Sequence, residues 1–313
     1  MKKYGYGVDI GGTTCKIGLF ETTGKLLEKW EIPTNTQEAG RSILFDVSES
    51  LKKNMKERGI SKEDLEGIGV GLPGPVRIDG IVPVCVNLGW KNVHVSREME
   101  TLMDGVPVKA ANDANVAALG EMWQGGGKGC SNVVLVTLGT GVGGGIIVNG
   151  EIVSGSNGAG GEIGHITVNP HEEIFCNCGR KGCLEQYASA TGIKRLAKER
   201  LAGEHEKSLL DEEADISAKA VFDAYKEGDK TADEIVDKFA RILGNALSNI
   251  ACVVDPEVFV IGGGVSKAGE SLLDIVKRYY AQAAFSSCTD TRFALALLGN
   301  DAGMYGCVKL ILE

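Results

Sequence analysis

The sequence lacks an excess of basic residues, a long apolar run and a recognisable leader. Thirty-three lysines and arginines stand against 42 aspartates and glutamates, which leaves a net charge of −9. Such a chain does not offer the positive surface that a phosphate backbone requires, so we expect no nucleic-acid partner. No stretch approaches the roughly 18 consecutive apolar residues of a membrane helix, and the N-terminus leads directly into a strand-like run without a signal-peptide core. We therefore expect a cytoplasmic protein without membrane contact.

The rest of the composition is that of an ordinary globular protein, with 43% hydrophobic and 24% charged residues, which excludes a disordered or fibrous chain. A length of 313 residues corresponds to two domains at roughly 150 residues each. The nine cysteines are odd in number, and a chain of this size does not depend on disulfides, which favours a reducing compartment.

Glycine is the one residue in excess. It occupies 44 of the 313 positions, about twice its ordinary share of roughly 7%. The glycines follow apolar stretches in short clusters, which indicates turns where the backbone approaches a neighbour or a ligand closely. These clusters lie at 11–12, 71–74, 125–129, 139–145, 158–164 and 262–264.

Apolar runs and helical spacings alternate along the chain and predict an α/β fold. Strands are predicted from Tyr4 to Ile10 and from Val133 to Leu138, and each is followed by a glycine turn and a second strand. This weak internal echo suggests two related halves. The run from Gln124 to Gly129 is the best candidate for a boundary, which predicts domains of residues 1–123 and 124–300.

The two glycine turns are candidate phosphate sites. Gly139–Gly144 contains the G-x-G-x-x-G pattern, but a strand pattern follows it where a dinucleotide fold has a helix, and no P-loop ending is present. Exposed backbone N–H groups in a tight turn can still bind an anion, and Thr13, Thr14 and Thr140 add hydroxyl donors. Asp9 can hold a magnesium ion through water. Tight hairpins without a ligand are the alternative.

Histidine and cysteine residues crowd into one loop, at His165, Cys176, Cys178 and Cys183. One imidazole and three thiolates form a common structural zinc set. A disulfide and simple buried thiols are the alternatives, although the short Cys-x-Cys spacing is awkward for a local disulfide. The spacing therefore predicts a zinc site.

Three carboxylates are candidate functional groups. Asp113 follows a predicted strand and opens a helix beside Asn112, so it is either a helix cap or a general base at the carboxyl end of a strand. Glu162 and Glu185 flank the predicted zinc loop, where they suit hydrogen bonds to the hydroxyls of a polyol. A solvated surface position is the alternative for each of them.

Four segments occur together in this order: Asp9–Thr14, Leu138–Gly144, Gly161–His165 and Cys176–Glu185. Their combination resembles the ROK family (repressors, open reading frames and kinases) of the actin/hexokinase superfamily. The resemblance implies two α/β domains around a cleft, with the C-terminal helix at about 301–313 completing the N-terminal domain. It also implies ATP-dependent phosphorylation of a sugar, with glucose O6 as the expected acceptor and Mg²⁺ as cofactor. Family repressors carry an N-terminal helix-turn-helix, which we do not expect here because the first strand starts by Tyr4.

The resemblance assigns roles to individual residues. Asp113 is the expected base, and the expected sugar ligands are Asn112, Asp113, Glu162, His165 and Glu185. The residues expected to face the phosphates and their magnesium are Asp9, Gly11, Gly12, Thr13, Thr14, Thr140 and Gly141, with Lys16 adding positive charge. Gly263 and Gly264 are expected beside the adenosine. Another hexose, such as N-acetylmannosamine, fructose or allose, and a non-catalytic sugar sensor remain alternatives. We expect a homodimer or homotetramer.

Overall fold

Residues 2–313 are described by a computed structural model. Their contacts divide into two compact units. The first contains the chain up to residue 131 together with 145–161 and 297–313, and the second contains 132–144 and 162–296. Each unit combines strands and helices, which confirms the predicted α/β class.

The strands are β1 (Tyr4–Ile10), β2 (Thr14–Glu21), β3 (Leu26–Pro33), β4 (Leu65–Leu72), β5 (Ile81–Cys85), β6 (Trp90–His94), β7 (Val108–Asn112), β8 (Val133–Leu138), β9 (Val142–Val148), β10 (Glu151–Ile152), β11 (Val258–Gly262) and β12 (Arg292–Leu295). The helices are α1 (Gln37–Gly40), α2 (Ile43–Arg58), α3 (Val95–Leu102), α4 (Asp113–Gln124), α5 (Glu185–Ala188), α6 (Ala190–Leu201), α7 (Ala218–Lys226), α8 (Lys230–Val254), α9 (Glu270–Ala283) and α10 (Ala302–Ile311). None of the described helices combines the length and the apolar character that crossing a bilayer requires.

The sheet of the first unit has the order β3-β2-β1-β4-β7. Strands β1, β4 and β7 run parallel, whereas β2 and β3 are antiparallel to their neighbours. Because parallel strands present their carboxyl ends at one edge, Asp9 near the end of β1 and Asn112 at the end of β7 lie along the same edge of the sheet. This edge is where α/β folds ordinarily bind ligands.

Helix α10 packs against α4 at a pair of glycines. An added Cβ at Gly306 would lie 1.6 Å from the Val116 carbonyl oxygen, and one at Gly120 would lie 2.2 Å from the Ala302 carbonyl oxygen. Any larger residue would therefore force the two helices apart. This close approach holds α4, which begins with Asp113, against helix α10.

The other five-stranded sheet has the order β10-β9-β8-β11-β12, and β11 runs parallel to both β8 and β12. Its strand β11 is buried throughout. The 25-residue helix α8 buries one long apolar stripe, which includes Ile235, Phe239 and Leu243. Side chains at three- and four-residue spacing fall on one face of a helix, so the stripe faces the core.

Two elements differ from what the sequence pattern predicts. The pattern predicts one helix from Leu184 to Leu201, but the structure breaks it at Ser189, whose backbone is extended and whose hydroxyl accepts a hydrogen bond from the Gly192 N–H. The apolar run from Phe293 to Leu298 predicts a last strand of that length, but the strand ends at Leu295. The N–H groups of Leu297 and Leu298 instead donate to the buried carboxylate of Glu121, at 3.0 and 2.9 Å.

Candidate active site and metal site

The first glycine turn connects β1 to β2. The Gly11 N–H donates to the Thr14 carbonyl oxygen at 2.9 Å, which closes the turn. Gly12 and Thr13 are exposed, and within the described chain neither of their N–H groups donates a hydrogen bond. Two free amides at one exposed turn are the donors that an anion requires.

Asp9 and Lys16 face each other across the β1–β2 pair. Burial raises the pKa of the Asp9 carboxyl to about 6, the charge of Lys16 opposes that shift and the charge of Asp113 adds to it. An added Cβ at Gly303 would lie 2.8 Å from Asp9 Oδ2, so the backbone of α10 closes one side of this carboxylate. A bound cation would favour its ionised form.

The cap of helix α4 is Asn112 rather than Asp113. The Asn112 side-chain oxygen accepts from the N–H groups of Ala114 and Asn115, and its amide donates to the Gly74 carbonyl oxygen at 3.1 Å. Asp113 is the first helical residue and its side chain is exposed. Asn112 therefore supplies the helix cap that the sequence also allowed for Asp113.

The second glycine turn connects β8 to β9. The Gly139 N–H donates to the Gly141 carbonyl oxygen at 3.0 Å. The Val142 N–H donates to Glu185 Oε2, also at 3.0 Å. An added Cβ at Gly141 would lie 2.0 Å from the same carboxylate oxygen, so a larger residue there would displace the Glu185 carboxylate. Glu185 thus links this turn to the start of helix α5.

Four potential metal ligands meet in the second unit: His165, Cys176, Cys178 and Cys183. Their ligand atoms all lie within 4.8 Å of one another. The Sγ atoms of Cys178 and Cys183 are 3.7 Å apart, and Cys176 Sγ is 3.9 Å from His165 Nδ1. A tetrahedral ion with bonds of about 2.3 Å to sulfur requires sulfur atoms roughly 3.8 Å apart. The four residues therefore fit one four-coordinate metal ion.

The loop between the cysteines folds as a tight turn. The Cys176 N–H donates to the Arg180 carbonyl oxygen at 2.8 Å, and the Gly179 N–H donates to the Cys176 carbonyl oxygen at 2.9 Å. Gly179 has a φ of 82°, which residues with a Cβ rarely adopt. Burial raises the pKa of the Cys183 thiol to about 12. A buried thiol of this kind ionises readily only when a cation lies beside it, and a bound metal ion would be such a cation.

A second anchor of this loop was not anticipated from the sequence. Glu172 accepts hydrogen bonds from the Tyr187 hydroxyl at 2.5 Å and from Arg195 Nη1 at 2.8 Å, and Asn169 donates to the same hydroxyl at 2.8 Å. The Arg195 guanidinium also lies 4.6 Å from the centre of the Tyr187 ring. These contacts fasten the outer part of the loop to helices α5 and α6 without a metal ion.

Replacing Glu172 with glutamine is expected to lower the free energy of unfolding by about 1–3 kcal/mol at pH 7, the ordinary value of hydrogen bonds to a charged group. The hydrogen bond from Tyr187, followed by that from the Ile174 N–H, holds the pKa of Glu172 down at about 2. A lowered carboxyl pKa stabilises the fold above the pKa of the unfolded chain, and this contribution disappears as the pH falls to the native pKa. Chemical denaturation of both proteins should therefore give a difference that shrinks between about pH 5 and pH 2. A difference independent of pH would contradict the role of the charge.

The remaining predicted sugar ligand, Glu162, lies directly before the short helical turn Ile163–His165. Its side chain is exposed and makes no hydrogen bond or ion pair with any residue that the structure describes. The His165 N–H donates to the Glu162 carbonyl oxygen at 3.1 Å, which places the two residues side by side. Both the ligand and the solvated-surface interpretation of Glu162 stay open.

Gly263 and Gly264 follow strand β11. Gly263 has a φ of 84°, and an added Cβ there would lie 2.5 Å from the Leu138 carbonyl oxygen. A cavity of about 320 Å³ lies beside Gly264, lined in part by Ala218, Phe222 and Val265. A cavity of this size and apolar lining suits a flat aromatic group.

The chain is similar to known proteins over nearly its whole length. The ROK family pattern matches residues 5–313. A glucokinase of Halalkalibacterium halodurans is 47% identical over 306 residues, with 96% of this chain and 92% of the relative covered. A glucokinase of Thermotoga maritima is 36% identical over 321 residues, with 98% and 96% covered. The crystal structure of a ROK family glucokinase from Streptomyces griseus in complex with glucose and AMPPNP aligns with a TM-score of 0.73 at 32% identity, with 98% of each chain covered.

The chain belongs to the ROK family. The resemblance inferred from the four sequence segments is confirmed, and so is the two-unit α/β fold that it implied.

Proposed function

We propose that this protein is a glucokinase that transfers the γ-phosphoryl group of ATP to O6 of glucose. The observation that carries the proposal is the 47% identity to a glucokinase over almost the whole of both chains. Asp113 has an exposed carboxylate at the start of α4, directly after the capping residue Asn112. This carboxylate is the group that we propose as the base for the sugar hydroxyl.

Phosphoryl transfer depends on in-line positioning and on neutralisation of charge more than on covalent chemistry. In the proposed mechanism, Asp113 accepts the proton of the attacking O6 hydroxyl, and Asn112 helps to hold the sugar in line. The free N–H groups of Gly12 and Thr13 contact phosphate oxygens, as do the donors of Thr14, Thr140 and Gly141. Lys16 supplies positive charge nearby. Mg²⁺, when bound, neutralises the phosphates, and Asp9 is the residue proposed to hold it through water.

In the second unit, Glu162, His165 and Glu185 are proposed to bind sugar hydroxyls. His165 presents Nδ1 to Cys176 at 3.9 Å, which leaves Nε2 for a hydroxyl near O1 or O2 of the sugar. Zinc is the ion that we propose for the cluster, since one histidine and three cysteines are a common structural zinc set. Gly263 and Gly264 are proposed to lie against the adenosine, with the adenine in the neighbouring cavity.

Three further parts of the proposal concern the whole protein. We propose a cytoplasmic location and a homodimer or homotetramer, which light scattering on the purified protein distinguishes. The division into functional domains of 1–123 with 301–313, and of 124–300, remains a prediction.

Glucose is expected to give the highest kcat/KM in an ADP-coupled assay with ATP and Mg²⁺, because two glucokinases are 47% and 36% identical to this chain over most of their length. The panel should contain glucose, mannose, fructose, allose and N-acetylmannosamine. Sugar-dependent ADP release separates a kinase from a sugar sensor, which would bind without turnover. A higher kcat/KM for N-acetylmannosamine would replace glucose as the substrate and leave the phosphotransfer chemistry in place.

A further inference from the structure

Each glycine turn is held by a threonine that lies outside it. The Thr34 hydroxyl donates to the Gly11 carbonyl oxygen at 2.7 Å, and the Thr34 N–H donates to the Thr13 carbonyl oxygen at 2.9 Å. The Thr191 hydroxyl donates to the Thr140 carbonyl oxygen at 3.0 Å. Each threonine belongs to the same unit as the turn that it contacts.

These bonds decide which way the N–H groups of the turns face. A trans peptide group is planar, so its C=O and N–H point in opposite directions, and no cis peptide bond occurs in the described chain. A Gly11 carbonyl directed at Thr34 therefore turns the Gly12 N–H away from Thr34. In the same way, a Thr140 carbonyl directed at Thr191 turns the Gly141 N–H away from Thr191. Neither of these N–H groups donates to another residue within the described chain.

The surroundings of both threonines reinforce the arrangement. Cys15 Sγ lies 3.3 Å from Thr34 Oγ1. Because the single hydroxyl proton of Thr34 goes to Gly11, the Cys15 thiol is the donor, and burial raises its pKa and keeps it protonated. At the second turn, the Ala190 N–H donates to the Gly139 carbonyl oxygen at 2.8 Å, beside the bond from Thr191.

Glycine has the widest backbone freedom of all residues. Without an external bond, the Gly11–Gly12 and Thr140–Gly141 peptide groups could rotate and direct a carbonyl oxygen at the ligand. A carbonyl oxygen would repel a phosphate, whereas an N–H attracts it. When the peptide groups are already fixed before ATP binds, binding does not lose the free energy that ordering them would cost.

We propose that Thr34 and Thr191 are positioning residues for the ATP phosphates, each orienting the amides of one glycine turn. The inference rests on the proposed function for the identity of the ligand, and on the geometry alone for the orientation of the amides. It assigns a shared task to two residues that are 157 positions apart and that no local motif connects.

The test replaces each hydroxyl with a methyl group of the same shape. Thr34→Val and Thr191→Val are each expected to lower kcat/KM for ATP by about five- to tenfold, the value of one hydrogen bond, with the glucose KM changed less than about twofold. Thr34→Ser and Thr191→Ser keep the donor and should stay near wild type. Thr22→Val is the matched control, because its hydroxyl likewise donates to a backbone carbonyl oxygen, that of Lys2, which belongs to neither glycine turn.

Two results would overturn the proposal. One is valine variants with wild-type ATP parameters, and the other is serine variants as impaired as the valine variants, which would indicate packing rather than hydrogen bonding. If a valine variant does not fold by thermal melting, the alanine variant at the same position is compared with serine instead. Calorimetric titration with AMPPNP and Mg²⁺ gives the same comparison without turnover. It therefore separates failure of this proposal (equal binding by all variants) from failure of the glucokinase assignment (no sugar phosphorylation by the wild type).

Discussion

Replacing Asp113 with asparagine is expected to lower kcat by ~10² or more while the fold and glucose binding remain nearly intact, as is usual when a general base is lost. Asparagine has the shape of aspartate and still forms hydrogen bonds, but it does not accept the proton of the sugar hydroxyl. The helix keeps its cap in this variant, because the cap is the side chain of Asn112. The loss of turnover should therefore occur without a large loss of stability.

Asp233→Asn is the matched control for this experiment. Asp233 is an exposed aspartate in the first turn of helix α8, so its replacement removes the same charge from the first turn of a helix. Both variants should lose about 0.3–1 kcal/mol of stability through the helix dipole, and only Asp113→Asn should lose turnover. A folded Asp113→Asn protein with near-normal kcat would refute the role of the base and leave Asp113 as a residue that only starts the helix.

The second large effect is expected at the metal site. Cys178→Ala should abolish metal binding and raise the glucose KM by roughly tenfold or more, since the loss of one or two oriented hydrogen bonds has about that effect. Cys176 and Cys183 are buried and Cys178 is exposed, so this substitution removes a ligand with the least disturbance to the core. The reason for the effect on the sugar is that His165 is itself a ligand and that Glu185 follows Cys183 by two residues.

Metal analysis of the wild-type protein should find about one zinc ion per chain, as a single four-ligand site requires. Cys252→Ala is the control, because Cys252 is an exposed cysteine outside the cluster. Because the Val142 N–H donates to Glu185, we expect loss of the metal to disturb the second glycine turn as well. The turn at Gly11 lies in the other unit, so binding of the phosphates there should be less affected. A metal-free preparation with full activity would contradict the whole argument about this loop.

Local patterns in the sequence were sufficient for much of the site. The four predicted metal ligands fall within a segment of 19 residues, from His165 to Cys183, and short spacings leave the chain few ways to separate them. The glycine turns were also predictable, because an apolar run followed by glycines and a second apolar run has one common structure, the tight hairpin. The position of Asp113 between β7 and α4 followed from the change of period at that point.

Other features depended on which distant segments meet. The sequence around Asp113 left two roles open, and only the structure showed that Asn112 supplies the cap. Glu172 reaches residues 15 and 23 positions away, and Glu121 accepts from residues 176 and 177 positions away. A side chain that bonds within its own turn is constrained by the spacing of its neighbours. The partner of a side chain that bonds across the fold depends on strand order and helix packing, and the periodicity of the sequence encodes neither. The sequence by itself therefore determined the family, the glycine turns and the cluster of one histidine and three cysteines, whereas the tertiary structure decided which side chains hold those turns and that loop in place.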